Sequence, residues 1–162
     1  IGFGSGLNCI LTYVENLKTQ LNVNYTALEP FPLEMDIVEN LDFNLNSKQL
    51  DIFKLIHGCL WEETVSIQEK FFLQKSQLEL DSFNTINLYD IIYFDAFAPM
   101  KQPELWTVDV FSKLFNITSI NGTLVTYCAK GQVRRDLEHV GYSVERLEGP
   151  PGKREMLRAT KV

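Results

Sequence analysis

The chain has 162 residues, of which 45% are hydrophobic, and this composition is enough for one domain with a buried core. Its three cysteines, Cys9, Cys59 and Cys128, lie far apart, which argues against a disulfide framework or a zinc site and favours core positions in a reducing cytoplasm. No stretch approaches the roughly 18 apolar residues of a membrane span, so we expect no membrane partner and no signal peptide.

Charge is segregated along the chain, although the formal net charge is -6. Residues 128–162 carry eight Lys or Arg and five Asp or Glu, whereas the residues before them carry seven bases and sixteen acids. A basic segment on an acidic body could bind a polyanion on one face. A solvated helix surface would have the same composition.

A glycine-rich segment, Ile1-Gly-Phe-Gly-Ser-Gly-Leu-Asn8, opens the chain, and leucines from Leu7 to Leu21 recur at helical spacing. This pattern predicts a turn that leads into an amphipathic helix, where glycines permit positive φ and helix amides can face a ligand. The strand predicted at 25–28 ends in Glu29, at about the separation typical of a carboxylate that binds ribose hydroxyls. A structural tight turn and a solvated strand-end acid are the alternatives.

A nucleotide-binding sheet has a strand before its glycine loop, whereas this sequence begins at the loop. We therefore expect residues 1–162 to be a single, N-terminally truncated domain without its first strand. The sheet would then be open at its middle.

The next segments alternate between helical and strand patterns. Helices are predicted at 33–41 and from a cap at Asn46 or Ser47 towards Cys59, and short strands at 64–68 and 71–75. His57 and His139 have no companion ligand in the sequence, so we assign neither to chemistry nor to a metal.

An apolar run that begins at Tyr89 ends in Asp95, small residues and prolines before Trp106. It predicts a strand buried on both faces at the centre of a parallel sheet. Ligands bind outside the carboxyl ends of such strands, so residues 95–106 are expected to form the functional rim.

After the rim, Thr107 is expected to cap a helix that runs through Phe115. Asn121-Gly122 is predicted to be a turn before a strand at 123–128. A basic helix at 132–139, ended by Gly141, and an antiparallel strand pair at 142–147 and 155–161 complete the chain.

With these features in place, the chain resembles class I S-adenosylmethionine methyltransferases, an α/β fold with a Rossmann-like sheet and helices on both faces. Three motifs resemble the tRNA wobble-uridine methyltransferases, which convert 5-aminomethyl-2-thiouridine into 5-methylaminomethyl-2-thiouridine. They are Gly2-Phe-Gly-Ser-Gly-Leu-Asn8, Asp95-Ala-Phe-Ala-Pro99 with Pro103-Glu-Leu-Trp106, and Tyr127-Cys-Ala-Lys-Gly131 with Gly149-Pro-Pro-Gly-Lys-Arg-Glu-Met156.

The resemblance implies S-adenosyl-L-methionine as cofactor, tRNA as partner and a family strand upstream of Ile1. By position, Glu29 would hold the ribose and Asp95 would lie at the reacting centre. The acid that many class I enzymes place near the adenine is left open between Glu79 and Asp81. Gly2, Gly4 and Gly6 would line the methionine end of the cofactor, and Asn8 is a further expected cofactor contact.

Methyl transfer to an amine requires a free nitrogen lone pair, so a carboxylate at Asp95 would orient the amine and accept its proton. A capping acid is the alternative. Phe97, Pro99 and Trp106 would form apolar walls for an extruded base, unless they are ordinary core residues. Phosphate contacts are expected from Lys101, Lys130, Arg134, Arg135, Lys153 and Arg154.

Two other functions remain open on the sequence. One is a methyltransferase or aminopropyltransferase-like enzyme acting on a small amine, and the other is an inactive fragment that binds cofactor or RNA. A nicotinamide-binding domain is less favoured, because no second domain would present a hydride acceptor. A separate FAD-dependent oxidoreductase acting in the same pathway is a further expected partner.

Overall fold

The computed structural model describes residues 1–149 and 152–162; within them it has five α-helices, one 3-10 helix and seven strands. Pro150 and Pro151 of the predicted Gly149–Arg154 loop lie outside the described residues. The elements are α1 (Leu7–Thr19), β1 (Val23–Leu28), α2 (Met35–Glu39), α3 (Ser47–Gly58), β2 (Thr64–Gln68), β3 (Phe71–Ser76), β4 (Tyr89–Tyr93), the 3-10 helix (Pro103–Leu105), α4 (Val108–Ile117), β5 (Thr118–Thr126), α5 (Gly131–His139), β6 (Tyr142–Glu148) and β7 (Glu155–Lys161).

The chain forms two compact units, and each holds one sheet. Gly2–Phe83 makes up one unit, with strand order β1-β3-β2, and Ile1 with Asn84–Val162 makes up the other, with order β4-β5-β7-β6. β1 is parallel to β3 and β4 to β5, whereas the β2–β3, β5–β7 and β6–β7 pairs are antiparallel. The α/β class and the antiparallel C-terminal pair are thus confirmed, and the single domain over 1–162 stays a prediction.

Helix α1 is amphipathic, but its buried face is not the leucine series. Cys9, Ile10 and Tyr13 are buried, whereas Leu11 and Leu17 are about half exposed, at 49% and 50%. Burial raises the pKa of the Cys9 thiol to about 12, which fits the predicted core role of this cysteine.

Helix α3 begins where the sequence predicted. The Asn46 side chain accepts a hydrogen bond from the Gln49 backbone N–H, and the Gln49 side chain accepts one from the Asn46 N–H, which is a capping box. Its buried residues, Phe53 and Ile56, pack in the core of the first unit. Helix α2 covers only Met35–Glu39 and is shorter than predicted.

Strand β4 corrects the prediction of a strand buried on both faces. Within the described residues it lies at the edge of its sheet and pairs with β5. Ile92 is buried, but Ile91 on the opposite face is 56% exposed. The apolar residues therefore predicted the strand correctly, but the prediction that both of its faces are buried is wrong.

Asn121-Gly122 also differs from prediction, because it lies inside β5 rather than before it. The register shifts between the pairs Tyr89–Thr118 and Ile91–Thr123, and Asn121 has a φ of 63°. Five residues of β5 therefore oppose two of β4, an irregularity in the pairing that contains the same left-handed residue type as a turn.

Helix α4 is capped by Thr107, whose Oγ1 accepts a hydrogen bond from the Val110 N–H at 3.3 Å, as predicted. It packs Phe111 and Leu114 into the second unit, where Leu124 of β5 is also fully buried.

Candidate functional site

The glycine segment begins beside the carboxyl end of β1. The Gly2 and Phe3 backbone N–H groups both donate to the Leu28 carbonyl, at 3.0 and 3.3 Å. Gly2, Gly4 and Gly6 have φ values of 79°, 50° and 72°, and Gly6 is the residue that precedes α1. The prediction of a glycine-rich turn that leads into a helix is thus confirmed. The first amides of α1 face this turn, as in sites that bind anionic groups.

Gly4 and Gly6 have different surroundings. A Cβ atom at Gly4 would meet no atom within 4 Å, so a ligand has room to approach the backbone there. A Cβ atom at Gly6 would lie 2.6 Å from Nε2 of His57. Gly6 is therefore required by packing inside the unit, while Gly4 leaves open space.

His57 supports this turn from α3. Its Nε2 lies 3.2 Å from the Ser5 carbonyl oxygen and acts as the donor, because a carbonyl only accepts. Burial lowers the pKa of His57 and favours the neutral imidazole. The contact gives His57 a packing role at this turn.

Glu29 links the end of β1 to the glycine segment. Its Oε2 accepts a hydrogen bond from the Gly4 N–H at 2.9 Å, and its Oε1 accepts one from the Phe31 N–H at 3.0 Å. A carboxylate has about four lone-pair positions, so these two bonds leave capacity for ribose hydroxyls. Open space at Gly4, the helix amides and this fixed acceptor together fit an S-adenosyl nucleoside.

Lys75 is a buried cation that the sequence did not single out. It is fully buried, and its Nζ donates to the His57 carbonyl at 2.6 Å and lies 4.6 Å from the Trp61 ring centroid. Burial lowers the pKa of Lys75. No local pattern marks it, because its partners come from other segments of the chain.

Asp95 follows β4 in the second unit and is exposed. The neighbouring Ala96 carbonyl accepts a hydrogen bond from the Tyr127 hydroxyl at 2.8 Å. The pKa of Tyr127 is raised first by burial and then by the negative charges of Cys128 and Asp95. Asp95 and Tyr127, taken from two predicted motifs, are thus electrostatic neighbours.

The predicted apolar walls have three different exposures. Phe97 is 69% exposed, Pro99 is half-buried, and Trp106 is 7% exposed. Trp106 packs edge-on against Phe94 and donates its Nε1–H to the Phe97 carbonyl at 2.8 Å. The buried indole thus holds the backbone from which the exposed Phe97 ring projects.

The predicted phosphate-binding cations lie on several elements of the second unit. The Lys153 Nζ lies 3.4 Å from the Tyr127 ring centroid, a cation–π contact. On α5, Arg134 pairs with Glu138 at 2.9 Å and Arg135 donates to Gln132 at 2.7 Å. The exposed members are Lys101, Lys130, Arg135, Lys153 and Arg154.

Among the described residues, no helix is long and apolar enough to cross a membrane. In that same part of the chain, His, Cys, Asp and Glu do not form any group of three that could hold a metal ion.

Comparison with known proteins gives a consistent result. Residues 59–162 match the model of a family described as S-adenosyl-L-methionine-dependent methyltransferase. Two curated relatives are named tRNA 5-methylaminomethyl-2-thiouridine biosynthesis bifunctional protein MnmC. The Campylobacter hominis protein is 27% identical over 98% of this chain and 24% of its own length, and the Pseudoalteromonas translucida protein is 30% identical over 98% and 27%. The chain therefore spans about a quarter of these relatives.

Two solved structures show the fold. MnmC2 from Aquifex aeolicus has a TM-score of 0.75 and 24% identity, and the match covers 98% of this chain and 50% of that one. A putative methyltransferase from Thermoplasma acidophilum has a TM-score of 0.53 and 13% identity, with 98% and 64% covered. The predicted class I methyltransferase fold and the resemblance to the wobble-uridine family are confirmed.

Proposed function

This chain belongs to the family of S-adenosyl-L-methionine-dependent methyltransferases, and we propose that it methylates the wobble uridine of tRNA. The reaction would convert the primary amine of 5-aminomethyl-(2-thio)uridine into the methylamino group. The observation that carries the proposal is the match of 98% of the chain to relatives named for the biosynthesis of that nucleoside.

The cofactor, when bound, supplies an electrophilic methyl group on sulfur. Its binding residues would be those of the glycine segment, with Glu29 at the ribose hydroxyls. The open space beside Gly4 and the fixed orientation of the Glu29 carboxylate support this assignment. The proposed cofactor contacts are Gly2, Gly4, Gly6, Asn8 and Glu29.

Asp95 would prepare the substrate nitrogen. An alkylamine is mostly protonated at neutral pH, and a protonated nitrogen has no lone pair to attack with. The exposed Asp95 carboxylate can hold the ammonium by a charge-assisted hydrogen bond and take its proton before the nitrogen–methyl bond forms, which frees the lone pair for the attack. Its charge already acts on the neighbouring Tyr127 hydroxyl.

The uridine ring would lie against the exposed Phe97 side chain. A large exposed aromatic ring is well suited to stacking on an unpaired base of an anticodon loop. In this proposal Pro99 adds apolar surface, and Trp106 acts through its hydrogen bond to the Phe97 carbonyl.

The tRNA backbone would be held by cations of the second unit. Phosphate contacts require charge and carry little base identity, so exposed lysines and arginines are sufficient. The segregation of positive charge into residues 128–162 supports this role. The proposed residues are Lys101, Lys130, Arg134, Arg135, Lys153 and Arg154.

Action on tRNA would place the protein in the cytoplasm. We also propose that a separate FAD-dependent oxidoreductase acts in the same pathway. The curated relatives are named bifunctional proteins, which fits a second activity linked to this one.

The direct test is methyl transfer from labelled S-adenosylmethionine to tRNA that carries 5-aminomethyl-2-thiouridine, followed by nucleoside mass spectrometry. We expect label in the 5-methylaminomethyl nucleoside and none in tRNA that lacks the aminomethyl group. Label found only in a free small amine would instead support the alternative function, an enzyme that acts on small amines. Cofactor binding without any transfer would support a non-catalytic binding protein.

A further inference from the structure

The face of the Tyr127 ring is in contact with a positive charge. The Lys153 Nζ lies 3.4 Å from the centroid of this ring. An atom beside the ring edge cannot come so close to the centre, so the ammonium lies over the electron-rich face, which is the geometry of a cation–π contact. Because Lys153 is exposed and Tyr127 is half-buried, the contact lies at the surface of the second unit.

The Tyr127 ring is fixed beside the Asp95 segment. Its hydroxyl donates to the Ala96 carbonyl at 2.8 Å, and the ring packs edge-on against Trp106 with 6.3 Å between the centroids. Burial first, and then the negative charges of Cys128 and Asp95, raise the pKa of Tyr127. An aromatic face and a carboxylate are therefore neighbours at the end of β4.

This pair of groups is complementary to one kind of ligand. The ring face attracts a positive charge, and the carboxylate accepts a charge-assisted hydrogen bond from an N–H group. The Lys153 side chain ends in a primary alkylammonium, and the protonated aminomethyl group of the proposed substrate is the same functional group. Lys153 is therefore an internal ligand that shows which group the ring face accepts.

We propose that the Tyr127 ring and the Asp95 carboxylate form the binding site for the substrate ammonium, and that Lys153 occupies this site until the substrate displaces it. The identity of the ligand rests on the proposed function. The aminomethyl group enters as an ammonium over the ring, and its proton then passes to the Asp95 carboxylate. The displaced Lys153 becomes available for a phosphate, so a ligand that carries both ammonium and phosphate groups, as tRNA does, compensates for the lost internal contact.

The first measurement follows the Lys153 side chain by NMR in protein with isotope-labelled lysine. Its ε-CH₂ protons should resonate upfield of those of exposed lysines, because they lie beside the face of an aromatic ring. Lys153→Met identifies the signal. Tyr127→Leu should remove the upfield shift, whereas Tyr127→Phe, which keeps an aromatic face, should retain it. Thermal unfolding establishes that each variant is folded.

Three probes then test what displaces Lys153 in the wild-type protein. They are 5-aminomethyluridine, 5-hydroxymethyluridine, which has a similar shape without the charge, and ethylammonium chloride, which has the ammonium without the uridine. We expect 5-aminomethyluridine and ethylammonium to move the Lys153 signal to the position of exposed lysines. The hydroxymethyl nucleoside, and sodium chloride at the concentration of the ethylammonium salt, should leave it in place.

The second measurement is the Kd of each nucleoside by isothermal titration calorimetry. If Lys153 occupies the ring face about nine-tenths of the time, the apparent Kd of a competing ligand is about tenfold above its intrinsic value. The Kd of 5-aminomethyluridine should therefore fall about tenfold in Lys153→Met, while that of 5-hydroxymethyluridine should change by less than about twofold. Arg146→Met is the matched control, since it removes one positive charge from an exposed residue of the same unit, and it should change neither Kd.

A Lys153 signal that neither 5-aminomethyluridine nor ethylammonium moves would overturn the inference. So would equal displacement by the hydroxymethyl nucleoside, or an equal gain of affinity in Arg146→Met. Displacement by ethylammonium but not by 5-aminomethyluridine would support the ammonium site and count against the wobble uridine as substrate, so the two proposals fail in distinguishable ways. If Tyr127→Leu does not fold, the titrations of the wild-type protein and of Lys153→Met decide the question.

Discussion

The Nε2 atom of His57 lies 3.2 Å from the carbonyl oxygen of Ser5 and so ties helix α3 to the glycine segment that precedes α1. Both the neutral ring and the imidazolium can donate the Nε2 proton, so this bond by itself raises the His57 pKa, but burial is the larger effect and lowers it. The burial of the imidazole therefore makes the stability of the proposed cofactor unit depend on the protonation of His57.

The pH dependence follows from that lowered pKa. Above about pH 6.5 His57 is neutral in both the folded and the unfolded chain, and its contribution to stability is complete. As the pH falls below that value the unfolded chain binds the proton first, so the free energy of unfolding decreases until the pH reaches the folded pKa. Urea unfolding from pH 7.5 to 5 measures this decrease.

In His57→Gln the amide can still donate to the Ser5 carbonyl but does not titrate. The share of the decrease in unfolding free energy that comes from His57 should therefore disappear. His139→Gln, a change at the only other histidine in the sequence, should leave it in place. A profile that is the same in wild type and His57→Gln would contradict the assignment.

The second prediction compares the stability of two variants of the glycine segment, Gly4→Ala and Gly6→Ala. Gly4→Ala should lower the free energy of unfolding by about 1 kcal/mol, the cost of a left-handed backbone, because no atom lies in the way of its Cβ. Gly6→Ala should cost roughly 2–4 kcal/mol, because His57 must also move.

The affinity for S-adenosylhomocysteine shows whether each glycine is needed for ligand binding or only for the stability of the fold. Gly4→Ala should weaken binding despite its small effect on stability, because the added methyl group occupies the space that the ligand needs. Denaturant unfolding and calorimetry measure the two effects. Equal stability losses for the two variants, or full affinity in Gly4→Ala, would count against this account.

Asp95→Asn keeps the shape of the side chain and removes its ability to accept the proton. The rate of methyl transfer to 5-aminomethyl-2-thiouridine tRNA should fall about 10²–10⁴-fold at saturating substrate, the usual range for a lost general base. Affinity for S-adenosylhomocysteine should remain within about twofold. Asp109→Asn, an exposed acid in the first turn of α4, serves as the control. Near wild-type turnover in Asp95→Asn would exclude the role.

Reversing the charges of Arg134 and Arg135 to Glu should weaken tRNA binding and reduce its dependence on salt. If each side chain neutralises one phosphate, the slope of log K against log[salt] should decrease in magnitude by roughly 1.4–1.8. Filter binding at several salt concentrations measures both quantities. The same double reversal at Lys48 and Lys54, exposed on α3, should have a smaller effect. Unchanged affinity and slope would refute the contact.

The local features of the fold could be predicted from the sequence. Asn46 with Gln49 three residues later specifies a helix start, and Thr107 does so for α4, because capping depends on neighbours in the chain. The β6–β7 pair follows from alternation on both sides of a Gly and Pro segment.

The remaining features depend on distant partners. The exposure of Ile91 shows that one face of β4 is uncovered, and strand composition does not encode what packs against a face. Asn121 has the left-handed backbone typical of a turn although it lies inside β5, so residue type alone does not distinguish a turn from an irregular strand. Lys75 donates to His57, 18 residues away, and Glu62 accepts from Ser76 and Gln77, 14 and 15 residues away, so no local pattern marks either side chain.

The two tryptophans of the chain fall one in each compact unit, Trp61 beside the Lys75 ammonium and Trp106 within an aromatic cluster. Indole fluorescence depends on nearby charge and on solvent, so each residue is an optical reporter of its own unit. Replacing either tryptophan by Phe would leave a single emitter. The unfolding of the half with the glycine segment and of the half with Asp95 could then be followed separately, in one protein and without any attached dye.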